Sequence, residues 1–301
     1  WQTERMIVMT QFFVPEGRLL HTEENQAACA SRQGLLSAME RGTVLEGLAL
    51  LCDADHDLVV RVGEFTGLIP RSEAALGIAE GTTREIAILS RVGKPICFTV
   101  EAVEGPSLRL SRRAAQERAL RAMMTGWRPG DIVPAAVTHL EPFGAFVDIG
   151  CGIPSMLSLE QISVSRIPHP RCRFSVGQDI FALVTDIDPE LGRVSLSHKA
   201  LLGTWAENAA LFTSGMTVPG IVRGIKPYGV FVELTPNLSG LAEPYPDLEE
   251  NQRVSVYLKA ILPDRHKIKL LIIDRLPPDP VPAPLRYFHT EGRLEHWNYT
   301  A

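Results

Sequence analysis

A chain of 301 residues is too long for one small β domain and fits two or three. Hydrophobic residues make up 45% and charged residues 22%, which supports packed cores and argues against disorder throughout. Thirty Lys and Arg against 35 Asp and Glu, a net charge of −5, argue against a protein that grips a nucleic-acid duplex by bulk phosphate neutralisation, so any such affinity must come from local patches and stacking.

In chain order, residues 1–39 read as an extension and helix. The sequence begins at Trp1, and Met6 or Met9 reads as the natural start. The stretch Met6 to Val14 is broken by Thr10 and Gln11, lacks a basic lead-in and has no small-residue cleavage site, so no signal peptide is expected. Glu24 to Arg41 has the pattern of one helix. A degenerate β unit is expected over 40–114, a linker helix over 115–126 (helix-like from Arg113 to Met124), a second β unit over 127–200, a second linker over 201–211 (helix-like from Lys199), and a third β unit over 212–275. Residues 276–301 form a Pro-rich linker, extended over Pro277 to Pro284, and an aromatic-rich tail from Leu285 that should fold back. The apolar runs stop far short of the ~18 residues that cross a bilayer, so no membrane partner is expected. Cys29, Cys52, Cys97, Cys151 and Cys172 are scattered, odd in number and never in a C-x-x-C pair, which fits a reduced cytoplasm and neither a disulfide framework nor a zinc site.

The β units come from an internal repeat. Thr138 to Ile149 matches Arg223 to Leu234 without a gap, Phe143 falling on Tyr228, and Val133 and Val137 fall on Val218 and Val222. Arg193-Val194-Ser195-Leu196 then pairs with Lys267-Ile268-Lys269-Leu270 at a shorter offset, so the third copy lacks a segment of the second. A fainter copy runs from Leu58 to Ile69 and on to Leu108-Arg109-Leu110-Ser111. Short β-branched runs bounded by Gly and Pro are the pattern of small all-β barrels.

Alternate side chains of a strand point to opposite faces. Ala145, Val147 and Ile149 then supply the core face of the second copy, leaving Phe146 with Asp148 on the other. In the third copy Val230, Val232 and Leu234 face inward and Phe231 shares its face with Glu233. A second ring, Phe143 or Tyr228, stands just before a glycine. Two exposed rings about 10 Å or less apart can each take a base.

These residues resemble the RNA-binding S-one domain family, named for the first protein of the small ribosomal subunit. The family pattern of Gly, Val-x-Gly-x-Val, aromatic-Gly-Ala/Val-Phe-Val-Asp/Glu-Leu/Ile, Gly-Leu and a final Arg-x-x-Leu-Ser is met by Gly130 to Ser197, less fully by Gly215 to Leu270, and in degenerate form by Gly42 to Ser111. Spacing, linker helices and tail are similar to clostridial-type homologues labelled small-subunit ribosomal protein S-one. The resemblance implies a mainly β protein of three tandem five-stranded OB-fold barrels joined by short helices. It also implies an RNA face of two aromatics, a histidine after Gly-Leu, and an Asp and Arg flanking the last strand. Phe143 and Phe146 match the aromatics, Asp188 and Arg193 the acid and base, and Ser158 stands where the histidine would be. In the third copy the aromatics are Tyr228 and Phe231, Lys267 replaces Arg, Glu243 falls at the histidine position and Leu262 at the aspartate. Arg223 and Lys226, on the strand leading to Tyr228, are counted with them. In the first copy His56 and Val59 occupy the ring positions and Ser107 falls near the basic one, so that unit reads as a scaffold.

The insertion Ser163 to Arg173 carries Arg166, His169, Arg171 and Arg173 with no acid from Gln161 to Gly177, a local basic patch expected to reach phosphate. Phosphate loops, nucleophile elbows and His or Cys metal spacings are missing from the sequence, so neither an enzyme, a cofactor, a metal nor a small-molecule substrate is expected. Asp186 and Asp188, beside Pro189, read as turn chemistry. The expected function is non-catalytic binding of single-stranded RNA, mRNA above all, with the small ribosomal subunit as a further partner. The alternative is an accessory subunit that tethers an RNA-processing or degradation assembly to RNA.

Overall fold

The computed structural model describes residues 13–278 and 285–300. The expected start at Met6 or Met9 and most of the expected linker Pro277 to Pro284 lie outside them. Among the described residues the first elements are helices α1 (Glu23–Cys29) and α2 (Arg32–Arg41), where the sequence pattern suggested one. Ser31 divides them. Its backbone is extended, and its hydroxyl accepts the Gly34 N–H at 3.1 Å, so it caps a new helix instead of continuing the old. Gly42, at φ 61°, ends α2 in the left-handed conformation that glycine tolerates best.

Strands β1 (Leu45–Cys52), β2 (Leu58–Val62) and β3 (Phe65–Ile69) follow; then a short helix, α3 (Ile86–Leu89), and strands β4 (Pro95–Glu104) and β5 (Ser107–Ser111). They close a barrel in the order β1-β2-β3-β5-β4, with β3 and β5 parallel. Alternation decides which side chains fill it: Leu58, Val60 and Val62 of β2 are buried, with Phe98 and Leu110 across the interior. Helix α4 (Arg112–Gly126) leads on.

The second set is β6 (Ile132–Glu141), β7 (Gly144–Asp148), β8 (Pro154–Ser158), a single turn α5 (Leu159–Ile162), β9 (Asp179–Asp188) and β10 (Arg193–Ser197), ordered β10-β9-β6-β7-β8. Its strands β8 and β10 meet through the Ser155 hydroxyl, which donates to the Val194 carbonyl at 2.7 Å, and not through a ladder. Lys199 to Leu211 is not one helix. A 3-10 turn over Lys199–Leu202 stops at Gly203, φ 84°, and α6 (Trp205–Ala209) starts afresh from a Thr204–Glu207 capping box. Strands β11 (Thr217–Lys226), β12 (Gly229–Thr235), β13 (Leu238–Ala242), β14 (Arg253–Leu262) and β15 (Lys267–Arg275) repeat the closed order of the first barrel.

The chain divides into two units. The first holds the first barrel, α1 to α4 and residues 148–153. At its centre Glu16, 5% exposed, receives Arg112 at 2.7 and 2.9 Å and Arg91 at 3.1 Å. Asp148 accepts the N–H groups of Glu16, Gly150 and Gly152 at 2.7 to 3.0 Å. The sequence pattern set Asp148 on the outer face beside Phe146. It is buried instead, because two N–H donors of the tight turn after β7 and the N–H of Glu16 close over it.

The second unit holds the other two barrels and the tail, which folds back onto both. Tyr287 accepts the Phe181 N–H at 3.3 Å, and its hydroxyl meets His198 Nε2 at 3.0 Å. The Phe288 N–H donates to the Leu201 carbonyl at 2.9 Å. Tyr299 donates to the Asn237 carbonyl at 2.7 Å, and its own carbonyl accepts the Trp205 N–H at 2.8 Å. The fully buried His198 gives its Nδ1–H to the Ile162 carbonyl at 2.7 Å, and burial pulls its imidazolium pKa down to about 4.

Candidate nucleic-acid interface

Two aromatic pairs define the site. Phe143, 56% exposed, occupies the turn between β6 and β7, and Phe146 is half-buried on β7. Their ring centroids are 6.1 Å apart and nearly perpendicular, at 87°. In the third barrel Tyr228, 66% exposed, and Phe231, 37% exposed, stand 6.3 Å apart at 88°. The glycine between each pair has the same cause. A Cβ at Gly144 would lie 2.3 Å from the Leu157 carbonyl oxygen, and one at Gly229 would lie 2.5 Å from that of Ala242, so only glycine lets the neighbouring strand approach.

The residues around the rings differ between barrels. His139, on β6, lies 6.3 Å from Phe146 with the planes 35° apart, and extends the second barrel's aromatic surface. Sequence reasoning missed it, although it sits four residues before Phe143 on the strand that feeds the turn. Ser158 is half-buried at the end of β8. Arg193 is exposed and pairs across the β9–β10 ladder with Asp188, whose carboxylate accepts the N–H groups of Glu190 and Leu191 at 3.1 and 3.0 Å. Turn chemistry thus occupies Asp188.

Around Tyr228 and Phe231 the surface is more basic. A cavity of about 770 Å³ is lined by both rings with Leu241, Lys259, Lys267 and Lys269. Lys259 bonds Glu243 at 2.8 Å and holds that carboxyl below its usual range. Lys267 pairs across the ladder with Leu262 and, like Lys269, points outward. Lys269 was legible in the alternation of Lys267-Ile268-Lys269-Leu270 but was not singled out.

The basic insertion does not behave as one patch. Arg173, with 5% of its side chain exposed, bonds Glu233 at 2.7 Å, and Arg223, 7% exposed, bonds the same carboxylate at 2.6 Å. Arg223 also donates to Asn251 Oδ1 at 2.6 Å. These two arginines are therefore not the solvated phosphate contacts expected of them. Nor is Glu233 an outward acid beside Phe231: burial alone would raise its pKa, but the two guanidiniums hold it below the usual carboxylate range. Arg171 lines a separate cavity with Arg253, whose wall includes neither ring pair. Arg166 is exposed, and lines a cleft of about 710 Å³ with Lys226 and Phe231.

The first barrel has no such pair. His56, at φ 66°, bonds Glu85 at 3.1 Å, Arg71 holds the same carboxylate, and Val59 is half-buried. Its strands expose Leu50, Leu51 and Leu68, and α3 with the turn after it exposes Ile86, Leu89 and Val92. Among the described residues no helix is long and apolar enough to cross a membrane, and no three His, Cys, Asp or Glu are grouped to hold a metal ion.

A family model, the S1 RNA binding domain, matches residues 127–199. The small ribosomal subunit protein bS1 of Leuconostoc lactis is 31% identical over 232 residues, covering 71% of this chain and 52% of that protein. Its counterpart in Staphylococcus aureus is 29% identical over 242 residues, covering 74% of this chain and 60% of that protein. The chain thus spans about half to three-fifths of the length of these curated relatives. A solved multidomain protein with nucleic acid binding domains from Streptococcus pneumoniae is 15% identical, covers 77% of this chain and 73% of its own, and superposes with a TM-score of 0.26.

Proposed function

We propose, on the premise that residues 127–199 make this chain a member of the S1 RNA-binding domain family, that it holds single-stranded RNA without catalysis, by stacking bases on Phe143 with Phe146 and on Tyr228 with Phe231. The observation that carries this reading is the recurrence, in two barrels, of a ring pair of one geometry with an exposed leading ring. Every base has a face to stack, so such a site tolerates sequence and requires unpaired bases. Lys226, Lys267 and Arg193, all exposed, then act as backbone contacts, with Ser158 at the rim. Likeness to small ribosomal subunit proteins supports a place in translation, in the cytoplasm, on mRNA and at the small ribosomal subunit. Fluorescence anisotropy with a labelled ten-nucleotide RNA tests the reading: the single strand should bind more tightly than its duplex, and equal or tighter duplex binding would overturn it.

A second reading is favoured by the exposed leucines of the first barrel, which suit a protein contact better than a base. In it, that barrel ties the RNA-holding barrels to an RNA-processing or degradation assembly. Sedimenting a lysate separates the two, since the main reading has the protein travel with small ribosomal subunits.

A further inference from the structure

The second barrel's insertion is fastened to the third barrel. The Ser165 N–H donates to the Pro236 carbonyl at 2.9 Å, and the Val164 N–H to Asn237 Oδ1 at 3.1 Å. Asn237 is fully buried, and its amide donates in turn to the carbonyls of Lys199 and Gly203 at 2.8 and 2.7 Å. At the far end of the same insertion Arg173 is locked to Glu233. Both ends being tied down, Arg166 is held in place on the third barrel's side although it belongs to the second.

Where it is held has consequences. The cleft that Arg166 lines runs on into the cavity beneath the Tyr228–Phe231 pair, because Phe231, Ser239 and His266 line both. Trp205 and Tyr299 supply apolar wall. Glu233 neutralises Arg223, and the remaining charges on the wall are Arg166 and Lys226 against the single acid Glu250, so the cleft is net positive. Among the described residues neither Arg166 nor Lys226 has an ion-pair partner. A volume of about 710 Å³ lies within the roughly 300–1,000 Å³ of sites that enclose a small molecule, room enough for one nucleotide.

We propose that the cleft between the 164–168 loop and the third barrel is a further RNA subsite, in which Arg166 of the second barrel and Lys226 of the third hold the phosphate of the nucleotide next to the base stacked on Phe231. The inference rests on the RNA-binding reading and deepens it. The insertion completes its neighbour's groove, so a strand lying on Tyr228 and Phe231 continues off the barrel into a site that neither barrel has alone.

The test uses the full chain and a fluorescein-labelled ten-nucleotide oligouridine, with affinity measured by anisotropy across a salt series. Arg166→Ser, at an exposed position, should weaken binding several-fold and lower the log–log salt slope by about 0.7, one single-strand phosphate contact. The loss should persist in a Phe143→Ala, Phe146→Ala background and vanish in a Tyr228→Ala, Phe231→Ala background, where the strand has left the groove. The opposite pattern, or unchanged affinity and slope on Arg166→Ser while the unaltered chain binds RNA, overturns the placement and leaves the RNA reading standing. Failure of the unaltered chain to bind the oligouridine overturns both.

Discussion

The first and third barrels close in the same strand order, yet only the third carries an outward ring pair. At the two outward positions around the first β turn, His56 and Val59 stand in one barrel and Tyr228 and Phe231 in the other. The inward residues are interchangeable in kind: Leu58, Val60 and Val62 against Val230 and Val232. The barrel is therefore held by its alternating inner face, and its outer positions are free to be a nucleic-acid surface or not. What distinguishes the barrels energetically is a few exposed side chains, which cost the fold little to gain or lose.

The sharpest way to break this contrast is to show that charges expected to serve RNA are structural. Glu233→Gln leaves Arg173 and Arg223 buried without their counter-ion, and removing one partner of a buried pair typically costs about 3–5 kcal/mol. Denaturant unfolding should show a loss of that order for the second unit. An unmoved midpoint would return Arg173 and Arg223 to the list of RNA contacts.

A second comparison sets the two units against each other by pH. His198 is held near 4, below its unfolded value of about 6.5, so the unfolded chain binds the extra proton first as pH falls. The second unit's stability should be complete above about pH 6.5 and decline toward pH 4, by on the order of 3 kcal/mol from this group. In the first unit burial, aided by the Glu16 carboxylate, pushes Asp148 up to about 7, so that stability is lost as pH rises through 7 and regained on acidification. Between pH 7 and 5 the two transitions should move in opposite directions. Trp127, Trp205 and Trp297 report the second unit by fluorescence, and parallel shifts of both transitions would contradict the account.

Architecture and rings were legible in the sequence because both rest on local rules. Period-two alternation and the Gly-bounded repeat set the three barrels, and an aromatic on the polar side of a strand, with glycine before it, marked Phe146 and Phe231. Tertiary partners were not legible. Asp148 and Glu233 alternate as outward residues, yet one is enclosed by two N–H groups of its own turn and that of Glu16, 132 positions away, and the other by two arginines from different barrels, one 60 positions away in the chain. The basic insertion failed as a patch for the same reason, since nothing local says that Arg173 meets Glu233 while Arg166 does not. The helix over Glu24 to Arg41 was overextended because Ser31, unremarkable within a helical pattern, makes a good cap.

The smallest expected effect is a gain. His56→Phe with Val59→Phe, made in the full chain with Phe143, Phe146, Tyr228 and Phe231 all changed to Ala, should add measurable RNA affinity where the unmodified first barrel supplies little. Strong binding by the unmodified barrel would mean that these two positions are not how the protein holds RNA.

The most direct test reads affinity and stability on the same variants. Stacking is worth about 1–3 kcal/mol per base, so Phe143→Ala with Phe146→Ala, and Tyr228→Ala with Phe231→Ala, should each lower single-strand affinity roughly tenfold or more. Truncating a buried aromatic typically costs about 3–5 kcal/mol of stability, and these rings are exposed or half-buried, so the unfolding midpoints should shift by much less than that. Affinity lost at a nearly unchanged midpoint is the predicted result; midpoints that collapse, or affinity that stays, would contradict it.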